Sequence, residues 1–225
     1  MALADRLVVV RDDGRVEHAR AVPPEVHEVE RRSLLHRLAA QHAPLVVVCG
    51  PAGSGKSTLL RQWAGADPRP TVTVDLTARH DSPGVLADAL VSALSDVGPE
   101  EAAAHAAITD DEPAFSAVVV PGLAEVAGSR ERPYVLVLDD LHLLRDVRAQ
   151  HLLRSLADGV PDGSTLVLAT RGAPPPWVVR LRAEGRAVVV DPADLAFDDD
   201  EAAALAQGYG LPPGTAADLR RRTDG

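Results

Sequence analysis

Eight consecutive residues, Gly50-Pro51-Ala52-Gly53-Ser54-Gly55-Lys56-Ser57, match the pattern G-x-x-x-x-G-K-[ST], and Thr58 follows. Glycines let backbone N–H groups turn inward around an anion. A helix opening at the end of the loop adds the positive end of its dipole. Lys56 is expected to reach the β- and γ-phosphates of a nucleoside triphosphate, Ser57 to ligate Mg²⁺ through its hydroxyl, and Thr58 to touch the α-phosphate. A second group, Asp139-Asp140, ends the apolar run Tyr134-Val135-Leu136-Val137-Leu138. Asp139 is expected to hold Mg²⁺ through water, and Asp140 to stand near the γ-phosphate and orient an attacking water. A third pair, Thr170-Arg171, closes another apolar run. Arg171 would stabilise charge at the γ-phosphate. The catalytic candidates are therefore Lys56, Asp140 and Arg171. Gly50 through Thr58 bind the nucleotide, and Ser57 and Asp139 hold the metal. Each group has a plainer alternative: a glycine turn, a helix cap, a surface arginine. His142 either hydrogen-bonds near the nucleotide or is an exposed loop residue, and Trp63 and Trp177 read as packing residues.

These residues need a scaffold that brings them together. Five short apolar runs, at 45–49, 71–74, 134–138, 165–169 and 187–190, are rich in β-branched residues and do not alternate with polar ones. Such runs suit strands covered on both faces. Helical patterns separate them, at 26–41 (with Val29, Leu34, Leu35 and Leu38 on one stripe), 57–64, 83–94, 113–127, 149–156 and 177–183. Strand alternating with helix predicts an α/β P-loop fold with a doubly wound, five-stranded parallel sheet. For Arg171 to reach the phosphates, the fourth run must lie between the first and the third. Counted along the chain, the strand order is then 2-3-4-1-5.

The flanks differ. Leu7-Val8-Val9-Val10, Asp12-Asp13-Gly14 and Arg15-Val16-Glu17 suit a hairpin around an Asp-Gly turn, so residues 1–25 read as an N-terminal extension. Residues 26–192 read as the nucleotide-binding domain. Beyond 193, Asp198-Asp199-Asp200-Glu201 looks like a helix cap with an acidic first turn. Helices at 201–207 and 215–222 then suggest a small helical domain, incomplete at residue 225.

Composition narrows the function. The chain has 225 residues, 46% of them hydrophobic, and no apolar run approaches the roughly 20 residues that span a bilayer. The start shows no secretory signal pattern. The one cysteine, Cys49, lies in an apolar run and reads as a buried, inert thiol. A cytoplasmic protein with no membrane contact is expected. The formal net charge of −10 disfavours direct nucleic-acid contact by these residues, because phosphate neutralisation needs a basic face. Arg220-Arg221-Arg222 reads as a solvated helix face. Of the 23 basic residues only Lys56 is a lysine. A compact ammonium thus occurs only inside the glycine-rich loop.

Residues 45–63, Leu136-Val137-Leu138-Asp139-Asp140-Leu141-His142 and Leu166-Val167-Leu168-Ala169-Thr170-Arg171 together resemble STAND signal-transduction ATPases. The branch they resemble is the maltose-regulator-like one, the large ATP-binding regulators of the LuxR type. That branch has Asp-Asp-x-His after its acidic strand and Thr/Ser-Arg at its sensor strand. Its Leu-x-Phe before an acidic helix is matched by Leu195-Ala196-Phe197, and Thr223-Asp224-Gly225 is similar to the start of its Thr-x-Gly-Trp-Pro segment. The resemblance runs from about Glu30 to Gly225. It implies an ATP/ADP switch with slow, Mg-dependent hydrolysis, which self-associates in the ATP state and activates transcription. Sensor and DNA-binding domains would lie beyond residue 225, as would the proline that closes on ADP in this family, so these residues alone would hold ADP poorly. The alternative is a catalytic P-loop enzyme, a motor-type ATPase or a small-molecule kinase, with Arg180-Leu181-Arg182 and Arg186 as a lid. No Leu-Ser-Gly-Gly signature of an ABC ATPase occurs. A module that binds nucleotide without hydrolysis is a third reading, disfavoured by the two carboxylates.

Overall fold

The structure, a computed structural model, describes residues 7–10, 16–18, 28–95, 127, 132–212 and 214–223. Seven strands form one sheet: β1 (Leu7–Val10), β2 (Val16–His18), β3 (Leu45–Cys49), β4 (Thr71–Asp75), β5 (Val135–Asp139), β6 (Thr165–Thr170) and β7 (Ala187–Val190), in the order β2-β1-β4-β5-β6-β3-β7. The five apolar runs are β3 to β7. They pair in parallel throughout and stand in the expected order 2-3-4-1-5.

The N-terminal strands extend this sheet beyond the five strands expected. β1 pairs antiparallel with β2, with Val9 opposite Glu17, and parallel with β4, with Val8 opposite Val72. The turn at Asp12-Asp13-Gly14 lies outside the described residues.

Alternate residues along each strand enter different cores. Leu45, Val47, Leu136, Leu138, Leu166 and Leu168 pack on one side. They meet α3 (Pro83–Ser95) through Leu86, Leu90 and Leu94, and α4 (Val147–Asp158) through Leu152, Leu153 and Leu156. The short α5 (Val178–Ala183) adds Val178 and Leu181. On the other side, Val46, Val48, Val135, Val137 and Val167 meet Leu34 and Leu38 of α1 (Arg32–Gln41) and Leu59, Leu60 and Trp63 of α2 (Lys56–Ala66). Both faces of the sheet are therefore covered, which is why its strands are continuously apolar.

One helix boundary differs from expectation. α1 begins at Arg32 rather than 26, and residues 28–31 are not helical. The Gln62 side chain takes up the backbone there, donating to Val29 O at 2.8 Å and accepting from Arg31 N at 2.9 Å. A side chain from α2 thus replaces the bonds a further helical turn would have made.

The expected helix at 113–127 falls outside the described residues except for Ala127, whose carbonyl accepts from the buried Tyr134 hydroxyl at 3.2 Å. After β7 come α6 (Pro192–Leu195), α7 (Asp199–Gly208) and α8 (Thr215–Thr223). Asp191 and Asp198 each close a capping box, with Asp194 and Glu201 as the returning carboxylates.

Candidate nucleotide site

β3 delivers the chain into the glycine-rich loop, and α2 leaves it. Gly53 and Gly55 have φ of 81° and 82°, a conformation that side-chain-bearing residues resist. Gly50 is a glycine for a different reason. A Cβ there would stand 2.5 Å from Ser54 Oγ and 2.9 Å from Leu195 Cδ1. Gly50 N donates to Thr170 O at 3.1 Å, tying the loop to the end of β6. α2 opens at Lys56, directly after Gly55, so its first N–H groups and its dipole face the loop.

Lys56 is buried, with 7% of its surface exposed. Its ammonium donates to Gly50 O and Pro51 O, both at 2.8 Å, which takes up two of its three donors. Burial pushes its pKa down. Asp139 and Asp140 act upward on it, and Arg171 acts downward. Residues from three strand ends therefore share one electrostatic neighbourhood.

β5 brings Asp139 against the loop. Ser57 Oγ donates to Asp139 Oδ2 at 2.7 Å, and Asp140 N donates to Asp139 Oδ1 at 2.7 Å. Both carboxylate oxygens are thus oriented. Asp140 has φ 58°, in the left-handed region. Its carboxylate lies 3.4 Å from Arg171 Nη2 and 3.5 Å from His142 Nδ1. Arg171 follows β6, which lies between β3 and β5.

The structure thus brings Lys56, Ser57, Asp139, Asp140 and Arg171 together at the C-terminal ends of the adjacent strands β5, β6 and β3. Trp63 packs in the core and donates to Asp67. Trp177 is half-buried beside the other core. Cys49 is buried, and burial raises its thiol pKa. The arginines weighed as a lid have local partners: Arg180 pairs with Glu184 at 2.8 Å and Arg186 with Asp158 at 3.7 Å.

A cavity of about 210 Å³ adjoins the loop. Gly53, Ser54, Gly55 and Thr58 form one wall, Glu28 and Val29 another, and Leu195, Phe197 and Leu205 a third. Sequence reading placed Val29 on a helix stripe and gave Leu195 and Phe197 no role in the site. Their only signal was the Leu-x-Phe pattern. A second cavity, of about 240 Å³, lies among Arg154, Trp177 and Leu181, and the loop contributes nothing to it.

The loop fits a phosphate chain. Ser54 Oγ is buried without a hydrogen-bond partner among the described residues, and a Cβ on Gly50 would force Ser54 and Leu195 to shift. Ser57 and Asp139 are hard oxygen donors suited to Mg²⁺, which commonly takes one or two protein ligands and completes its shell with phosphates and water. Among the described residues, no group of three or more His, Cys, Asp or Glu is placed to hold a metal.

Fold and site together define a P-loop nucleotide-binding protein. The solved structure of the Aeropyrum pernix ORC1 protein in complex with DNA superposes with a TM-score of 0.50 at 19% identity, covering 89% of this chain and 56% of that one. Residues 25–168 match the family described as AAA ATPase domain, and the chain belongs to that family. Membership supports nucleotide binding and, broadly, ATPase activity.

Among curated proteins, the chain is 29% identical over 179 residues to the HTH-type transcriptional regulator MalT of Klebsiella pneumoniae subsp. pneumoniae. It is 28% identical over 179 residues to the MalT of Cronobacter sakazakii. In both cases the match covers 78% of this chain and 20% of the relative, so the chain spans about a fifth of those proteins. The resemblance to maltose-regulator-like ATPases read from the motifs is therefore shared by whole-sequence similarity. Among the described residues no helix is long and apolar enough to cross a membrane.

Proposed function

We propose that this chain is an ATP/ADP-binding switch domain with slow, Mg-dependent hydrolysis, serving a signal-responsive transcriptional regulator. One observation carries the reading. The ammonium of Lys56, the Ser57–Asp139 pair and the Asp140–Arg171 pair converge on one glycine loop from three strand ends. In this reading the loop N–H groups and Lys56 hold the β- and γ-phosphates. Ser57 and Asp139 hold Mg²⁺, which would neutralise charge between those phosphates. Asp140 orients the attacking water, and Arg171 stabilises charge at the γ-phosphate. Arg171 Nη2 stands 3.4 Å from Asp140 Oδ1, which holds the guanidinium beside the carboxylate it would work with.

The regulatory part rests on the similarity to MalT proteins. On that basis the sensor and DNA-binding domains lie elsewhere in a longer protein, self-association belongs to the ATP state, and the setting is the cytoplasm. The net charge of −10 agrees with DNA contact being made by another domain. The proposed division is an N-terminal extension to about 25, a nucleotide-binding domain to about 192, and the start of a helical domain beyond it.

The test is to incubate the purified chain with Mg-ATP, remove free nucleotide, denature the protein and identify what it releases. Bound ADP formed over many minutes supports the switch. Unchanged ATP would remove hydrolysis from the proposal. Equal ATP retention by wild type and Lys56→Ala would remove the phosphate loop.

A further inference from the structure

Arg31 is buried, with 5% of its surface exposed, and it lies in the non-helical segment that leads into α1. Its guanidinium reaches a part of the chain more than 160 residues away. Nη1 donates to Leu195 O at 2.7 Å, and Nη2 donates to Ala196 O at 3.0 Å and Asp194 O at 3.3 Å. Nε donates to Glu201 Oε1 at 3.0 Å. The guanidinium carbon stands 4.9 Å from the centre of the Phe197 ring, within cation–π range. The other Glu201 oxygen accepts from Asp198 N at 3.1 Å, closing the cap of α7.

The segment gripped in this way is a wall of the cavity beside the phosphate loop. Leu195 and Phe197 line it, Leu205 joins them from α7, and Arg31 itself borders the cavity. The opposite wall is held too, since Gln62 fixes Val29 through its carbonyl and Arg31 through its N–H. Arg31 thus touches both sides. Its backbone belongs to the wall at 28–31, and its side chain holds the wall at 195–205. The carbonyls it takes up lie at the C-terminal end of α6, where a short helix leaves acceptors without partners. A planar fork with five donors can satisfy several of them while pairing with a carboxylate, which a lysine cannot do.

We propose that Arg31 is a positioning residue for the nucleoside half of the nucleotide, holding α6 and α7 as the wall against which base and ribose pack. This rests on the nucleotide-site reading above. Phosphate contacts are made by residues 50–58 and do not pass through Arg31. Loss of Arg31 should therefore weaken binding of a nucleotide far more than binding of its phosphate chain alone. Occupancy of the cavity and docking of α7 should also support each other, because the same side chain serves both.

The experiment compares Mg-ATP with inorganic tripolyphosphate on the whole chain, by titration calorimetry. The variant is Arg31→Met with Glu201→Gln, which removes both charges together so that no lone charge is buried. The Gln at 201 can still accept from Asp198 N. The expected result is a loss of about ten-fold or more in ATP affinity, with tripolyphosphate affinity unchanged. ATP should also slow amide exchange in residues 199–208 of the wild type and lose that effect in the variant. Arg31→Lys, which keeps the charge without the fork, should weaken ATP in the same selective way. Parallel loss of both ligands would mean general damage and overturn the proposal. Unchanged ATP binding and unchanged exchange would overturn it as well. Wild-type protein that bound neither ligand would instead refute the nucleotide site itself.

Discussion

Asp140 is the residue whose conformation says most about its task. A left-handed backbone costs a side-chain-bearing residue energy, though Asp and Asn bear it better than most. The conformation aims the carboxylate at Arg171 and His142 rather than back at Ser57. Asn tolerates the same backbone, so Asp140→Asn is a clean test of charge. ATP affinity should stay within about three-fold, while single-turnover hydrolysis falls about 100-fold or more. Full activity in that variant would take Asp140 out of the chemistry. Gly50 tests shape instead. A methyl group there meets Ser54 and Leu195 at less than contact distance. Gly50→Ala should lower stability by about 1–3 kcal/mol through overpacking and weaken nucleotide binding, read by urea unfolding and by titration. If the variant were as stable as wild type and bound ATP normally, the loop would be looser than the structure shows.

At the scale of elements, α2 ends in a tied corner. Asp67 accepts from the Trp63 indole at 3.0 Å and pairs with Arg69 at 2.7 Å, while Arg69 also donates to Gly163 O and Thr165 Oγ1 ahead of β6. Burial pushes the Asp67 carboxyl up, but the hydrogen bonds from Arg69 and Trp63 outweigh it, and the net pKa is lowered. A carboxyl whose folded pKa lies below its unfolded value of about 3.9 stabilises the fold above that pH, and the contribution is lost as pH falls through the folded value. Asp67→Asn should therefore cost about 1–3 kcal/mol at neutral pH and flatten the decline of stability below about pH 4. An acid limb identical to wild type would place the pH dependence elsewhere. Element identity was largely legible in the sequence, because β3 to β7 are continuous apolar runs and α2, α3 and α4 carry clear helical patterns. The start of α1 was not. The pattern from Val26 onward reads as helical, and the approach of Gln62 from α2 takes up the backbone at 28–31, which is not helical.

The whole molecule should feel its ligand. Binding to the folded state alone stabilises it by about 2.7 kcal/mol at a ligand concentration 100 times Kd. For a domain of this size that corresponds to a rise of about 5–10 °C in Tm. Mg-ATP should produce such a rise in wild type and none in Lys56→Ala, measured by thermal denaturation. An equal rise in both would mean that the stabilising ligand binds away from the loop. The two N-terminal strands belong to this scale as well. They add to the edge at β4, the opposite side of the sheet from β7, so β4 separates them from β5, β6 and β3, the strands that lead to Asp139, Arg171 and Lys56.

The sequence by itself determined the phosphate loop, the carboxylates at 139 and 140, the α/β alternation and the strand order. Those features are local: an eight-residue motif, acidic residues closing an apolar run, and β-branched runs that suit a sheet buried on both faces. The strand order was read from the expectation that the run ending in Arg171 lies between the other two site strands. Tertiary structure alone decided the rest. It paired β1 with β4 across more than sixty residues, where no periodicity records the register. It also turned Arg31 and Glu201, two ordinary charges in the sequence, into a partly buried pair beside the cavity. Such contacts depend on which surfaces the fold brings together, and the residue types on either side do not specify their partners in advance.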